Sequence, residues 1–87
     1  MQKHHILIVE DDPVNISLLV GTLRDDFTLF IAKTKAKALS ILKEESINIV
    51  MLDMNLPTGT GIDICQIVRQ DRDVYSNPAI IVMTGNS

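Results

Sequence analysis

Acidic side chains follow two apolar runs of the sequence, and a hydroxyl side chain follows a third. Glu10 and Asp11 come after "ILIV", Asp53 comes after "IVML", and Thr84 comes after "AIIVM". Carboxylates held close together raise each other's pKa unless a cation lies among them. Their oxygens suit Mg²⁺, which takes one or two carboxylates and admits a phosphate. A carboxylate beside such an ion can form an aspartyl phosphate, and the Thr84 hydroxyl could donate to a phosphoryl oxygen.

The apolar runs before these side chains predict strands, and helical patterns lie between them. Continuous β-branched runs are typical of strands buried on both faces. Apolar residues that recur every three or four positions predict the helices, with Asp12 as the first N-cap and Asn15 on the outer face. The predicted strands are residues 6–9, 28–32, 49–52 and 79–83, and the predicted helices begin at residues 13, 35 and 62. The polar segment "DRDVYSN" separates the third helix from the last strand.

The alternation of strands and helices predicts an α/β fold with a doubly wound parallel sheet. Such an order calls for helices on both faces of the sheet and right-handed crossovers. In these sheets, ligands bind outside the carboxyl ends of the strands. Glu10, Asp11, Asp53 and Thr84 all follow strands of this kind, so we expect them to converge at one edge of the sheet.

The composition restricts the chain to a single soluble globular domain. Of its 87 residues, 46% are apolar and 22% are charged. A net charge of −3, with one Tyr and two Phe, offers neither a basic field nor a stacking platform, so no direct nucleic-acid contact is expected. Cys65 is the lone cysteine, which fits a reducing, cytoplasmic setting. The first apolar run is too short for a signal peptide or a membrane span.

Three motifs in the chain resemble the receiver domain of two-component response regulators. These are "ILIVEDDP", "IVMLDMNLPTGTGIDIC" and "IIVMTG", which occur in the family's order and at similar separations. The resemblance covers the chain from His5 onwards and implies the CheY-like, flavodoxin-like receiver fold. It also implies that Asp53 accepts a phosphoryl group from a histidine kinase or a phosphotransfer protein. Such a module is not a turnover enzyme and at most catalyses its own phosphorylation and dephosphorylation.

The resemblance also implies roles for the residues around the acceptor. Asp11 and Asp53 are similar to the family's Mg²⁺ ligands, and Glu10 is similar to a residue that acts mainly through a water. The backbone carbonyl of Asn55 would complete the protein ligands. Thr84 resembles the switch hydroxyl that moves toward the phosphorylated aspartate.

The chain departs from the family pattern at its carboxyl end. A complete receiver continues through a further helix, a fifth strand that ends in a lysine, and a final helix, whereas this sequence ends at Ser87. We therefore interpret residues 1–87 as the N-terminal part of a single receiver domain that lacks the final helix-strand-helix. In the family's strand order, Ala79–Met83 would then be an exposed apolar edge. Self-association through this strand is expected.

Two other functions are consistent with parts of the pattern. A truncated or degenerate receiver could act only as a dimerisation or docking module, which the absence of a matching lysine favours and the intact acids oppose. A haloacid-dehalogenase-like phosphatase also uses a strand-end aspartate, but that family needs a second acid where this chain has Asn55. The sequence therefore argues against hydrolytic turnover.

Overall fold

The computed structural model describes residues 3–53, 60–75 and 77–83, in which strands and helices alternate. The strands are β1 (His4–Val9), β2 (Phe27–Ala32), β3 (Ile49–Asp53) and β4 (Ala79–Met83). The helices are α1 (Pro13–Leu23), α2 (Lys35–Glu44), α3 (Thr60–Gln70) and α4 (Arg72–Tyr75). None of the helices in the described ranges combines the length and the apolar character that crossing a membrane requires.

The strands form one four-stranded parallel sheet in the order β2-β1-β3-β4. This arrangement confirms the parallel α/β fold predicted from the sequence. The chain first moves from β1 to β2 through α1 and then returns past β1 to β3 through α2. Because crossovers of this kind are right-handed, the reversal of direction puts α1 and α2 on opposite faces of the sheet.

The main hydrophobic core lies between the sheet and the pair of helices α2 and α3. Alternate residues of β1 and β3 point to this side, because successive side chains of a strand lie on opposite faces. The sheet supplies Leu7, Val9, Val50 and Leu52, and the helices supply Ala38, Ile41, Leu42, Ile64 and Val68. This packing fixes the central strands β1 and β3, and therefore the positions of the residues that follow them.

The opposite face of the sheet is covered only partly by α1 in the described part of the chain. We call this side the α1 face; it carries Ile6, Ile8, Met51 and Ile81, which are aligned by the strand register. Ile6 and Ile8 are buried, whereas Ile81 at the edge is 48% exposed. The apolar residues that recur every three or four positions in α1 are more buried than the rest of the helix, but they are only half-buried.

The sequence did not predict the short helix α4. Its segment was expected to be a polar connection, but it turns once, because the backbone N–H groups of Val74 and Tyr75 donate to the carbonyl of Asp71 at 3.2 and 3.1 Å. The turn lets the half-buried Tyr75 pack against the core. Tertiary packing of one aromatic ring thus outweighs the polar character of the segment.

Candidate metal centre

Two neighbouring strands deliver buried carboxylates to one edge of the sheet. Val9 of β1 is paired with Leu52 of β3, so that the next residues, Glu10 and Asp53, emerge side by side on the α1 face. The backbone N–H of Glu10 also donates to the carbonyl of Ala32 in β2 at 3.0 Å. The core packing of β1 and β3 therefore fixes the backbone on which both acids are carried.

Asp11 joins these two acids to form a compact cluster. Oxygen atoms of Glu10, Asp11 and Asp53 all lie within 4.8 Å of one another. Glu10 and Asp53 are only 3% and 5% exposed, whereas Asp11 is open to solvent. In the described ranges, no other group of three or more acid, histidine or cysteine side chains has this spacing. Two of the three carboxyl groups are therefore buried, and the third is accessible from solvent.

The Glu10 carboxyl is perturbed by this environment. Burial raises its pKa above the ordinary value of 4.5, and the hydrogen bond and negative charge of Asp53 raise the pKa further. The backbone N–H groups of Asp12 and Asp11 act in the opposite direction. The Asp12 N–H donates to Glu10 Oε2 at 3.2 Å, and the Asn15 side-chain amide donates to Oε1 at 3.5 Å. The net effect is a raised pKa for Glu10.

The first residues of α1 lie next to the acidic cluster, on the side of the cluster that faces solvent. Asp12 is the N-cap of the helix, as predicted, and its Oδ1 accepts a hydrogen bond from the Val14 N–H at 2.9 Å. Pro13 occupies the first helical position, where a missing N–H has little effect. Asn15 is exposed on the outer face of α1, as predicted, and its side-chain amide also reaches the Glu10 carboxyl.

The donor set fits a hard divalent cation. A cation among three carboxylates would offset their mutual repulsion, and carboxylate oxygens are ligands that Mg²⁺ prefers. Burial and the neighbouring Asp53 raise the pKa of Glu10, and a cation bound beside these oxygens would oppose that rise. Asn55 and Thr84, the other two residues predicted at the site, lie outside the described residues.

Comparisons with known proteins agree with the geometry. A sequence model of the response regulator receiver domain matches residues 6–87. The TorCAD operon transcriptional regulatory protein TorR of Escherichia coli (strain K12) is 32% identical over 85 residues, which make up 97% of this chain and 35% of that protein. The chain thus spans about a third of the length of such curated relatives.

Solved structures show the same fold. The MaeR response regulator bound to beryllium trifluoride has a TM-score of 0.82 and 32% identity, covering 97% of this chain and 69% of that chain. The receiver domain of Saccharomyces cerevisiae Ssk1, crystallised with the histidine phosphotransfer protein Ypd1, has a TM-score of 0.76 and 27% identity. The match covers 99% of this chain and 67% of that chain. The flavodoxin-like α/β fold is therefore confirmed, and the chain belongs to the response regulator receiver domain family.

Proposed function

We propose that this chain is a phosphoacceptor module of a two-component response regulator, in which Asp53 takes a phosphoryl group with Mg²⁺ bound beside it. Residues 1–87 would form the N-terminal part of a single receiver domain. The observation that carries the proposal is the position of Asp53, a 5% exposed carboxylate at the end of β3 within 4.8 Å of two further acids. A strand-end aspartate beside a cation is arranged for nucleophilic attack on phosphorus.

In the proposed reaction, the Asp53 carboxylate attacks the phosphorus atom of a phosphohistidine. The new O–P bond forms as the N–P bond breaks, and the bonding electron pair leaves with the donor imidazole. Mg²⁺ would supply positive charge that offsets the charge on the phosphoryl oxygens. The module is therefore not a turnover enzyme and at most catalyses its own phosphorylation and dephosphorylation.

The other site residues would hold the ion and respond to the phosphoryl group. We assign Asp11 and Asp53 as direct Mg²⁺ ligands, with the Asn55 backbone carbonyl completing the protein ligands and Glu10 acting mainly through a water. The Thr84 hydroxyl would donate to a phosphoryl oxygen once Asp53 is modified. Such a local change becomes a signal when it shifts the equilibrium between two conformations of a surface of the protein.

The proposed phosphodonor is a histidine kinase or a phosphotransfer protein in the cytoplasm. The crystallised pair of Ypd1 and the Ssk1 receiver domain supports this choice, because it joins a histidine phosphotransfer protein to a receiver. The net charge of −3 supports the absence of direct nucleic-acid contacts. We also propose self-association through β4, whose residues Ala79–Met83 lie at an edge of the sheet that the described strands form.

Intact-mass measurement after incubation with Mg²⁺ and acetyl phosphate tests the phosphoacceptor role. We expect one phosphate adduct on the wild-type chain that disappears with EDTA or with Asp53→Asn. Asp25→Asn is the matched control, since Asp25 is exposed and precedes β2 at the opposite end of the sheet. An adduct on Asp53→Asn, or none on a folded wild-type chain, would reject the proposal.

A second function is favoured by the exposed β4 edge. The chain could act only as a dimerisation or docking module, without phosphorylation. The specific observation is that Ile81 and Val82 are each 48% exposed on a strand without a charged residue, which lies at the edge of the sheet among the described residues. A folded chain that dimerises but never gains phosphate would favour this alternative.

A further inference from the structure

Three lysines lie at the same end of the sheet as the acidic cluster. The carbonyl of Ala32, the last residue of β2, accepts the Glu10 N–H at 3.0 Å. Lys33 follows Ala32 directly, and neighbouring strands lie about 4.8 Å apart, so the backbones of Lys33 and Glu10 leave the sheet side by side. Lys35 and Lys37 follow in the first turn of α2. We call these three lysines the lysine group.

The lysine group supplies all the basic side chains at this end of the sheet. The sequence has eight Lys and Arg residues, and all of them lie within the described ranges. The others precede β1 or lie at and after the ends of the helices, which return the chain to the opposite end of the sheet: Lys3, Arg24, Lys43, Arg69 and Arg72. Positive charge is therefore concentrated in one place beside the acidic cluster.

Two members of the lysine group have charges that no described acid neutralises. Lys35 Nζ lies 3.4 Å from Oδ2 of Asp63, in the first turn of α3, so its charge is partly offset. Lys33 and Lys37 are exposed, and neither forms an ion pair with an acid of the described ranges. These two charges are therefore available to a ligand that approaches from solvent.

An anionic phosphodonor meets repulsion at the acidic cluster. Asp11 is open to solvent, and the exposed Asp12 lies next to it at the start of α1. A bound Mg²⁺ would offset only part of the negative charge that these residues share with Glu10 and Asp53. Fixed charges around a site change the local concentration of a charged ligand and its rate of encounter. Cations beside the cluster would thus favour the approach of an anion.

We propose that Lys33 and Lys37 attract the anionic phosphoryl group of the donor toward Asp53. The attraction acts on a charge that a small acyl phosphate and a phosphohistidine share. This proposal deepens the phosphoacceptor role of Asp53 and rests on it. The two lysines act through their electrostatic field on the encounter and not on the bonds that form and break.

The same field acts on Mg²⁺ with the opposite sign. Changing both lysines to glutamate should slow an anionic donor but tighten the binding of Mg²⁺, whereas damage to the fold would weaken both. Lys37→Glu also places a glutamate three residues after Thr34, the N-cap of α2, which is the spacing of a capping box. This substitution should therefore not weaken the helix.

Phosphorylation by acetyl phosphate at saturating Mg²⁺, followed by intact mass, tests the proposal. Coulomb's law at about 10 Å in water, with ionic screening, predicts that the double variant Lys33→Glu and Lys37→Glu reacts roughly five- to tenfold more slowly at about 0.1 M salt, and less than about twofold more slowly at about 1 M. The matched control is Arg24→Glu with Lys43→Glu, which changes the net charge equally at the opposite end of the sheet. Its rate should change by less than about twofold, because the distance exceeds the screening length.

Two binding measurements do not depend on phosphoryl transfer. Isothermal titration calorimetry should show that the Lys33 and Lys37 double variant binds Mg²⁺ severalfold more tightly than the wild type. In an Asp53→Asn background, titration with inorganic phosphate in Mg²⁺ should shift the backbone amide signals of Glu10 and Asp11, and the double variant should need severalfold more phosphate. If the wild type gains no phosphate adduct, the phosphoacceptor role fails, whereas the phosphate titration still decides the role of the lysines.

Three outcomes would overturn the proposal. An unchanged rate and an unchanged phosphate affinity in the double variant would show that the lysines exert no effective field at Asp53. An equal loss in the Arg24 and Lys43 control, or a loss that persists at about 1 M salt, would show that local attraction is not the cause. Slower transfer from a phosphorylated histidine phosphotransfer protein, with an unchanged rate from acetyl phosphate, would make the lysine group a protein contact instead.

Discussion

Neutralising the proposed phosphoacceptor is expected to stabilise the fold when no divalent cation is present. In Asp53→Asn, the side chain keeps its size but loses its charge, which lies within 4.8 Å of the oxygens of Glu10 and Asp11. Coulomb's law gives a repulsion of about 3.5 kcal/mol per pair at 4.8 Å for an effective dielectric constant of about 20, and about 0.9 kcal/mol in bulk water. The stabilisation is smaller than this sum, because the raised pKa of Glu10 shifts that buried carboxyl toward its neutral form and solvent screens the exposed Asp11.

We therefore expect Asp53→Asn to raise the free energy of unfolding by about 1–3 kcal/mol in EDTA at pH 7. For a domain of this size, a gain of about 2 kcal/mol corresponds to a rise in melting temperature of roughly 10 °C. Mg²⁺ at a hundredfold excess over its Kd should stabilise the wild type by about 2.7 kcal/mol, and the variant by much less. The advantage of the variant should shrink or reverse when Mg²⁺ is added.

Urea denaturation of both proteins, in EDTA and in Mg²⁺, measures these differences. Asp25→Asn is the control, and its stability should change by no more than about 0.5 kcal/mol in either buffer, because this exposed residue is remote from the cluster. A destabilised Asp53→Asn in EDTA would refute the reasoning, since it would show that Asp53 is held by favourable contacts that outweigh the repulsion. Equal stabilisation of both proteins by Mg²⁺ would show that Asp53 is not a ligand.

Three further perturbations follow from individual contacts. Folding raises the pKa of Glu10, so protonation of this carboxyl stabilises the folded state. This stabilisation should be complete below the ordinary pKa of 4.5 and lost as pH rises through the folded pKa. Glu10→Gln should abolish this pH dependence in thermal melts recorded in EDTA at a series of pH values. Asp12→Ala should cost about 1 kcal/mol in urea denaturation, because the N-cap of α1 is lost, whereas Asp12→Ser should retain most of the stability. Leu42→Ala should cost about 2–5 kcal/mol, because Leu42 is 1% exposed in the core, and an effect below 1 kcal/mol would contradict that packing.

The sheet and the placement of the acids could be predicted from the sequence because both depend on local patterns. The apolar runs of β1 and β3 end directly at Glu10 and Asp53, and parallel strands present their carboxyl ends at one edge. The N-cap of α1 was predictable for the same reason, since Asp12 precedes Pro13.

Other features depend on contacts between distant residues and could not be predicted from local patterns. Helix α4 forms in a polar segment because Tyr75 packs on the core. The hydrogen bond from Asn15 to Glu10 spans a change from strand to helix, so no single periodicity predicts it. Helix α3 begins at Thr60, two residues before the expected start, which is within the one or two residues by which helix ends vary.

The central claim is that Asp53 is the phosphoacceptor, and locating the modified residue tests it most directly. The chain would be incubated with acetyl phosphate and Mg²⁺ and then reduced with borohydride, which converts an aspartyl phosphate to homoserine. Peptide mass spectrometry should find homoserine at position 53 only, and only when Mg²⁺ and the phosphodonor are both present. Reduction at Asp11 or Glu10 instead, or a folded chain with no reduced residue, would contradict the claim.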